Sequence, residues 1–205
     1  MSDFLDLRFF GSALVTLVVI IDPPGAVPVF LGLVAGRSPR ERARLALQAT
    51  LTSFLLIVTF AVLGEQVLSY LRISLPSLQA AGGLLLLLLA LRLLTGSSQK
   101  TEEEENVNVA MVPLGTPILA GPGGIVATMV FARQAGGESP RLVALALAVV
   151  AVHALVWAAL RFSSSLLRFF GDTGISTITR VVGLLLAAIG VQLVADAVFG
   201  FIAGA

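Results

Sequence analysis

Residues 9–36 read FFGSALVTLVVII-D-PPGAVPVFLGLVAG, bounded by Arg8 and Arg37, and Asp22 is the one charge among them. A helix needs roughly 20 apolar residues to cross a bilayer. Residues 9–21 and 23–36 are each too short to do so alone, and together they are long enough. Asp22-Pro23 therefore reads as a helix start inside the membrane. Aspartate is a preferred N-cap because its carboxylate accepts from the free N–H groups of the first turn. Proline suits the first helical position, where its missing N–H would have no partner anyway. A cleaved signal peptide fits poorly. The leader holds Asp3 and Asp6 against Arg8, no small-x-small site follows, and the apolar character resumes after the break.

The rest of the chain is of the same kind. Charge-free runs cover residues 45–64, 73–91, 106–132, 142–160 and 181–195. Of the 205 residues 57% are hydrophobic and 12% are charged, against about 25% charged in an average soluble domain. Thirteen Lys and Arg with twelve Asp and Glu cannot cover a soluble surface of this size. A net charge of +1 leaves no basic footprint for nucleic acid. With no cysteine and one histidine, disulfides, thiolate metal sites and multi-histidine zinc sites are excluded. A β-barrel is excluded because the runs are continuously apolar rather than alternating. The expectation is an all-α polytopic membrane protein with six spans, at about 9–33, 45–64, 73–94, 107–132, 142–160 and 178–200. Its partners are then the lipid bilayer and a small-molecule substrate, and a homo-oligomer is compatible with it.

With the N-terminus outside, nine positive residues fall on the cytoplasmic side and four (Arg8, Arg72, Arg133 and Arg141) outside. The positive-inside rule then predicts both termini to be extracytoplasmic. The acidic run Glu102 to Glu105 falls in a cytoplasmic linker at 101–106, between a first repeat at 1–100 and a second at 107–205. Asp22-Pro23-Pro24-Gly25 in the first span is matched by Gly121-Pro122-Gly123-Gly124 in the fourth, and Ser38-Pro39-Arg40 by Ser139-Pro140-Arg141. Gly82 pairs with Gly183 at the same spacing as the second match. Three spans per half is an odd number, so the second half must insert upside down. That predicts a 3+3 inverted-topology repeat with broken first and fourth helices.

Irregular backbone at membrane depth is tolerated where it is buried in protein or lines a wet cavity. Two such breaks meeting near the midplane would present half-helix N-termini, whose dipoles and free N–H groups suit a carboxylate. The candidate substrate site comprises Pro23, Pro24, Gly25, Thr116, Gly121, Pro122, Gly123, Gly124 and Thr128. Asp22 is a cap, or a cap that also binds Na⁺ or carries a proton. His153, in the fifth span, reads first as an interhelical hydrogen-bond partner and second as a proton carrier. Gln48, Gln192, Thr50, Thr52 and Ser53 also read as interhelical partners. No P-loop motif and no Gly-x-Ser-x-Gly occurs, so no ATPase or serine-hydrolase chemistry is expected, and no cofactor beyond a coupling Na⁺.

Asp22-Pro23-x-Gly25-x-x-Pro28-x-Phe30, followed by Pro113-Leu114-x-x-Pro117-x-x-x-Gly121-Pro122-Gly123, resembles the MarC family of six-span bacterial and archaeal inner-membrane proteins. The resemblance runs from about residue 9 to 200 and includes Gly82-Gly83 and Arg180-x-x-Gly183; it is less clear from Asp196 onward. It implies a multi-pass protein of the cytoplasmic membrane and a small-substrate transporter. The family is also called the neutral amino acid transporter family, and some relatives carry glycine or alanine on cation gradients. The pattern is also similar to amino acid exporters of the LysE type. The expected function is therefore secondary transport of small neutral amino acids, coupled to Na⁺ or H⁺, with an exporter or channel for another small solute as the alternative.

Overall fold

The computed structural model describes residues 5–34, 36–95 and 120–203. Among them the regular structure is seven helices: α1 (Leu7–Ile21), α2 (Pro23–Leu33), α3 (Pro39–Tyr70), α4 (Leu75–Thr95), α5 (Pro122–Gln134), α6 (Ser139–Arg161) and α7 (Ser163–Ala203). Five stretches are long and apolar enough to cross a membrane: Leu7–Leu33, Pro39–Tyr70, Leu75–Thr95, Ser139–Arg161 and Thr173–Ala203. The acidic linker at 101–106, with Pro113, Thr116 and Pro117, lies outside the described residues.

Local chemistry sets the ends. Asp6 caps α1, its Oδ1 accepting from the Phe9 N–H at 2.9 Å. That bond, with the Arg141 guanidinium beside it, holds the Asp6 carboxyl below the usual carboxylate range. Helix α3 starts six residues before the charge-free run because Ser38 and Glu41 form a capping box around Pro39. It ends in a Schellman motif in which Arg72 takes a left-handed φ of 56° and the Ile73 N–H donates to the Leu68 carbonyl at 2.9 Å. Ser74 caps α4 by accepting from the Ser77 N–H. Gly171, at φ 65°, interrupts α7 before its apolar stretch begins at Thr173.

Helices α4 and α7 pack antiparallel along a glycine seam. Gly83 lies beside Gly190 and Val194, Gly183 beside Ala90 and Leu93, and Gly200 beside Pro76. A Cβ on Gly83 would sit 2.6 Å from the Gly190 carbonyl oxygen, so the two backbones are in direct contact. The outward faces are apolar: Leu84, Leu88, Leu184 and Phe199 are 57–70% exposed. In water this surface would be a large unsatisfied patch, and a bilayer is its natural solvent.

Helices α3 and α6 cross where Ser53 meets His153. The His153 Nδ1 lies 2.7 Å from the Val149 carbonyl, which can only accept, so Nδ1 carries the hydrogen. Nε2 of the neutral ring then accepts from the Ser53 hydroxyl at 3.2 Å. Both residues are buried, and Phe54 meets the imidazole edge-on. The bond joins helices 100 residues apart in sequence. A double-mutant cycle of Ser53→Ala and His153→Leu, read by thermal melting in detergent, is expected to give a coupling of about 0.6–1.7 kcal/mol. A coupling of zero would show that the pair does not hold the crossing together.

Candidate functional site at the paired helix breaks

Helix α1 ends at Ile21 and α2 begins at Pro23, with Asp22 closing one and opening the other. Its N–H donates to the Val18 carbonyl as the C-cap of α1, and its Oδ1 accepts from the Gly25 N–H at 3.1 Å as the N-cap of α2. Serving both ends forces the backbone to φ 46°, ψ 67°, a left-handed conformation that aspartate and asparagine tolerate better than most residues. A Cβ on Gly25 would collide with the Asp22 carboxylate, so glycine is what lets the side chain fold back over the first turn. Asp22 is 7% exposed, and among the described residues it is the one carboxylate or cationic side chain in the buried interior.

Helix α5 starts at Pro122 after Gly121, which supplies no side-chain cap. The first-turn N–H of Gly123 has no intrahelical acceptor, as in any helix start. The start of α5 adjoins the α1–α2 break. A Cβ on Gly123 would lie 3.3 Å from Ile20 Cγ2, and one on Gly124 would lie 3.8 Å from Ile21 Cγ1. Their depth also agrees. Arg141 at the start of α6 reaches Asp6 at 3.4 Å and the Gln134 carbonyl at 3.4 Å, so the start of α1 and the end of α5 share one end of the bundle. Asp22 lies about 24 Å from that end and the start of α5 about 20 Å, at 1.5 Å per residue. From adjoining starts, α5 runs back to this end while α2 continues away from it. Leu86 and Ile20 lie over Gly123, and Ile57 and Ile21 lie beside Gly124, so apolar side chains cover the first turn of α5 in this conformation.

The other expected site residues fall out differently. Pro23 is buried and Pro24 half-buried beside Asp22, whereas Pro28 sits inside α2 on an exposed face. Thr128 is fully buried, but its hydroxyl donates to the Gly124 carbonyl one turn back at 2.7 Å, so its polar atom serves its own helix. Thr50 does the same to Ala46, and the Gln192 amide donates to Asp196 on α7, so neither bonds across helices as expected. Thr116 lies outside the described residues.

The family profile of MarC family integral membrane proteins matches residues 7–202. The chain belongs to the MarC family. It is 35% identical to the UPF0056 membrane protein of Archaeoglobus fulgidus, over 93% of this chain and 92% of that one. It is 32% identical to the UPF0056 membrane protein of Methanocaldococcus jannaschii, over 96% and 98%. Identity to the UPF0056 inner membrane protein MarC of Citrobacter koseri is 33%, over 95% and 96%. No solved structure matches the chain. As a MarC family protein it is an integral, multi-pass membrane protein.

Proposed function

We propose that this MarC family protein is a secondary transporter of small neutral amino acids such as glycine and alanine, built as a six-span 3+3 inverted repeat with both termini extracytoplasmic. The observation that carries the reading is the pair of helices, α2 and α5, that start side by side inside the bundle and run in opposite directions. The packing supports the repeat. Exchanging the halves turns the α3–α5 contact into α6–α2 and the α4–α5 contact into α7–α2, and all four contacts exist. Paired interrupted segments of this kind are where secondary transporters bind substrate.

The two helix starts are not equivalent. That of α2 already holds an anion, the carboxylate of Asp22, whereas that of α5 has no side-chain cap. A substrate carboxylate therefore goes to the first turn of α5, at Gly121, Pro122, Gly123 and Gly124. The substrate ammonium or a coupling cation goes to Asp22, beside Pro23, Pro24 and Gly25. Among the described residues no three His, Asp or Glu side chains gather into a metal site, so Na⁺ at Asp22 would draw its other ligands from backbone carbonyls at the breaks. Binding requires Leu86 to move off Gly123.

The test is uptake of radiolabelled glycine, alanine and serine into proteoliposomes under imposed Na⁺ or H⁺ gradients. Saturable accumulation that collapses when the gradient is removed is expected. Flux without saturation or gradient dependence would favour a channel, and no flux of any of the three would sink the amino acid reading.

A further inference from the structure

Near the end of the bundle that holds the α3–α4 and α5–α6 turns lies a cavity of about 310 Å³ between α3, α4 and α5. Its walls are apolar, with Phe60, Leu68, Leu75, Leu78 and Met129 among them. Two charged side chains of opposite sign also line it: Glu65 on α3 and Arg133 in the last turn of α5. Both side chains are exposed, so they stand at the mouth of the cavity rather than in its floor. Among the described residues neither side chain forms an ion pair or a hydrogen bond, and Arg141 nearby is engaged by Asp6 and Glu138 instead. The cavity thus offers a free carboxylate, a free guanidinium and apolar walls. Arginine binds carboxylates through parallel N–H donors, and a carboxylate accepts from an ammonium group.

The cavity lies at one end of the closed seam between α4 and α5 that leads to the helix starts. Going down α4 from its lining residues Leu75 and Leu78, the next inward-facing residue is Gln79, which is 8% exposed and has no hydrogen-bond partner among the described residues. One turn further, Gly82 abuts Val126 of α5, and one turn beyond that Leu86 abuts Gly123. The seam between α4 and α5 therefore runs from the cavity, past an unengaged carboxamide, to the uncapped start of α5.

We propose that this cavity is a second binding site, an entry vestibule for a small zwitterion whose carboxylate meets Arg133 and whose ammonium meets Glu65. Its role in entry rests on the transporter reading, but its binding chemistry does not. A free amino acid and a phospholipid headgroup such as phosphoethanolamine carry the same pair of charges.

The chain has no cysteine, so Ala61→Cys places one reporter thiol on the cavity wall. The rate of its alkylation by N-ethylmaleimide is measured in detergent with alanine, with lactate, with alaninamide or with glycerophosphoethanolamine. Alanine at about four times its Kd should slow alkylation about five-fold by simple occupancy. Lactate and alaninamide, each lacking one charge, should protect far less at the same concentration. Adding Glu65→Gln or Arg133→Gln should weaken protection by alanine about ten-fold. Glu65→Asp, which keeps the charge, should retain most of it and thereby shows that the loss is not misfolding. Protection by glycerophosphoethanolamine but not alanine would replace the vestibule with a lipid site. Equal protection in the charge-removed variants, or none in the parent, would overturn the proposal. Alanine uptake by the same protein in proteoliposomes separates the two ideas. Protection without uptake leaves the vestibule standing and removes transport, and uptake without protection does the reverse.

Discussion

Gly83→Leu is expected to be among the most destabilising single substitutions in this chain. The seam between α4 and α7 brings the Gly83 Cα face onto the Gly190 carbonyl, 2.6 Å from where a Cβ would stand, and onto the Val194 backbone nitrogen at 3.1 Å. A flexible side chain can rotate out of the way of an added methyl group; a backbone carbonyl cannot. The helices would have to separate along their length, losing the contacts of Ala90 with Gly183 and of Gly200 with Pro76. Overpacking generally costs about 1–3 kcal/mol, and more where relaxation is blocked. Gly11→Ala is the matched control. Nothing lies within 4 Å of its added Cβ, so replacing a helical glycine should stabilise α1 by up to about 1 kcal/mol. Melting in one detergent compares the two, and a Gly83→Leu variant that melts with the parent would mean that the helices do not touch there.

The helix starts at Pro23 and Pro122 were legible in the sequence because their signal is local. Asp22-Pro23 carries both a side chain that caps and a residue that suits the first helical position, and α2 begins at Pro23. Gly121-Pro122 carries the second half of that signal, and α5 begins at Pro122. Helix α3 starts earlier than the charge-free run because hydropathy ends at the edge of the hydrocarbon, whereas a helix ends at its cap. Ser38-Pro39-Arg40-Glu41 is a readable capping box and would have placed the start at Pro39. The break at Gly171 is carried by a glycine among twenty, with no proline to mark it.

Tertiary choices were not legible. Thr128 and Thr50 could each bond to a ligand, a neighbouring helix or their own carbonyl four residues back, and only packing decides among these. The Ser53–His153 bond joins residues 100 apart and depends on where α3 and α6 cross. The cavity charges Glu65 and Arg133 read in sequence as ordinary rim residues. Their significance comes from lining one space without pairing.

Substitutions at Asp22 are expected to separate its structural duty from its chemical one. The structure gives it three features: a left-handed backbone, a cap bond from the Gly25 N–H to Oδ1, and a charge held in the buried interior. Among the described residues Oδ2 has no hydrogen-bond partner, so one oxygen is spent on the cap and the other is free for a cation. Asparagine keeps the cap and tolerates the left-handed backbone, and it loses only the charge. Glycine keeps the backbone and loses the cap and the charge. Alanine loses the cap, worth about 0.5–2 kcal/mol, and adds left-handed strain of about 1–2 kcal/mol. Melting temperatures should therefore fall in the order parent and asparagine, then glycine, then alanine. Transport should follow a different order. If Asp22 holds the coupling ion or the substrate ammonium, gradient-driven accumulation of alanine is lost in all three variants, including the asparagine protein that melts like the parent. A stable Asp22→Asn protein that still accumulates alanine on the gradient would reduce Asp22 to a helix cap. Asparagine caps as well as aspartate does and is cheaper to bury, so a carboxylate at this depth calls for a role that only its charge can fill.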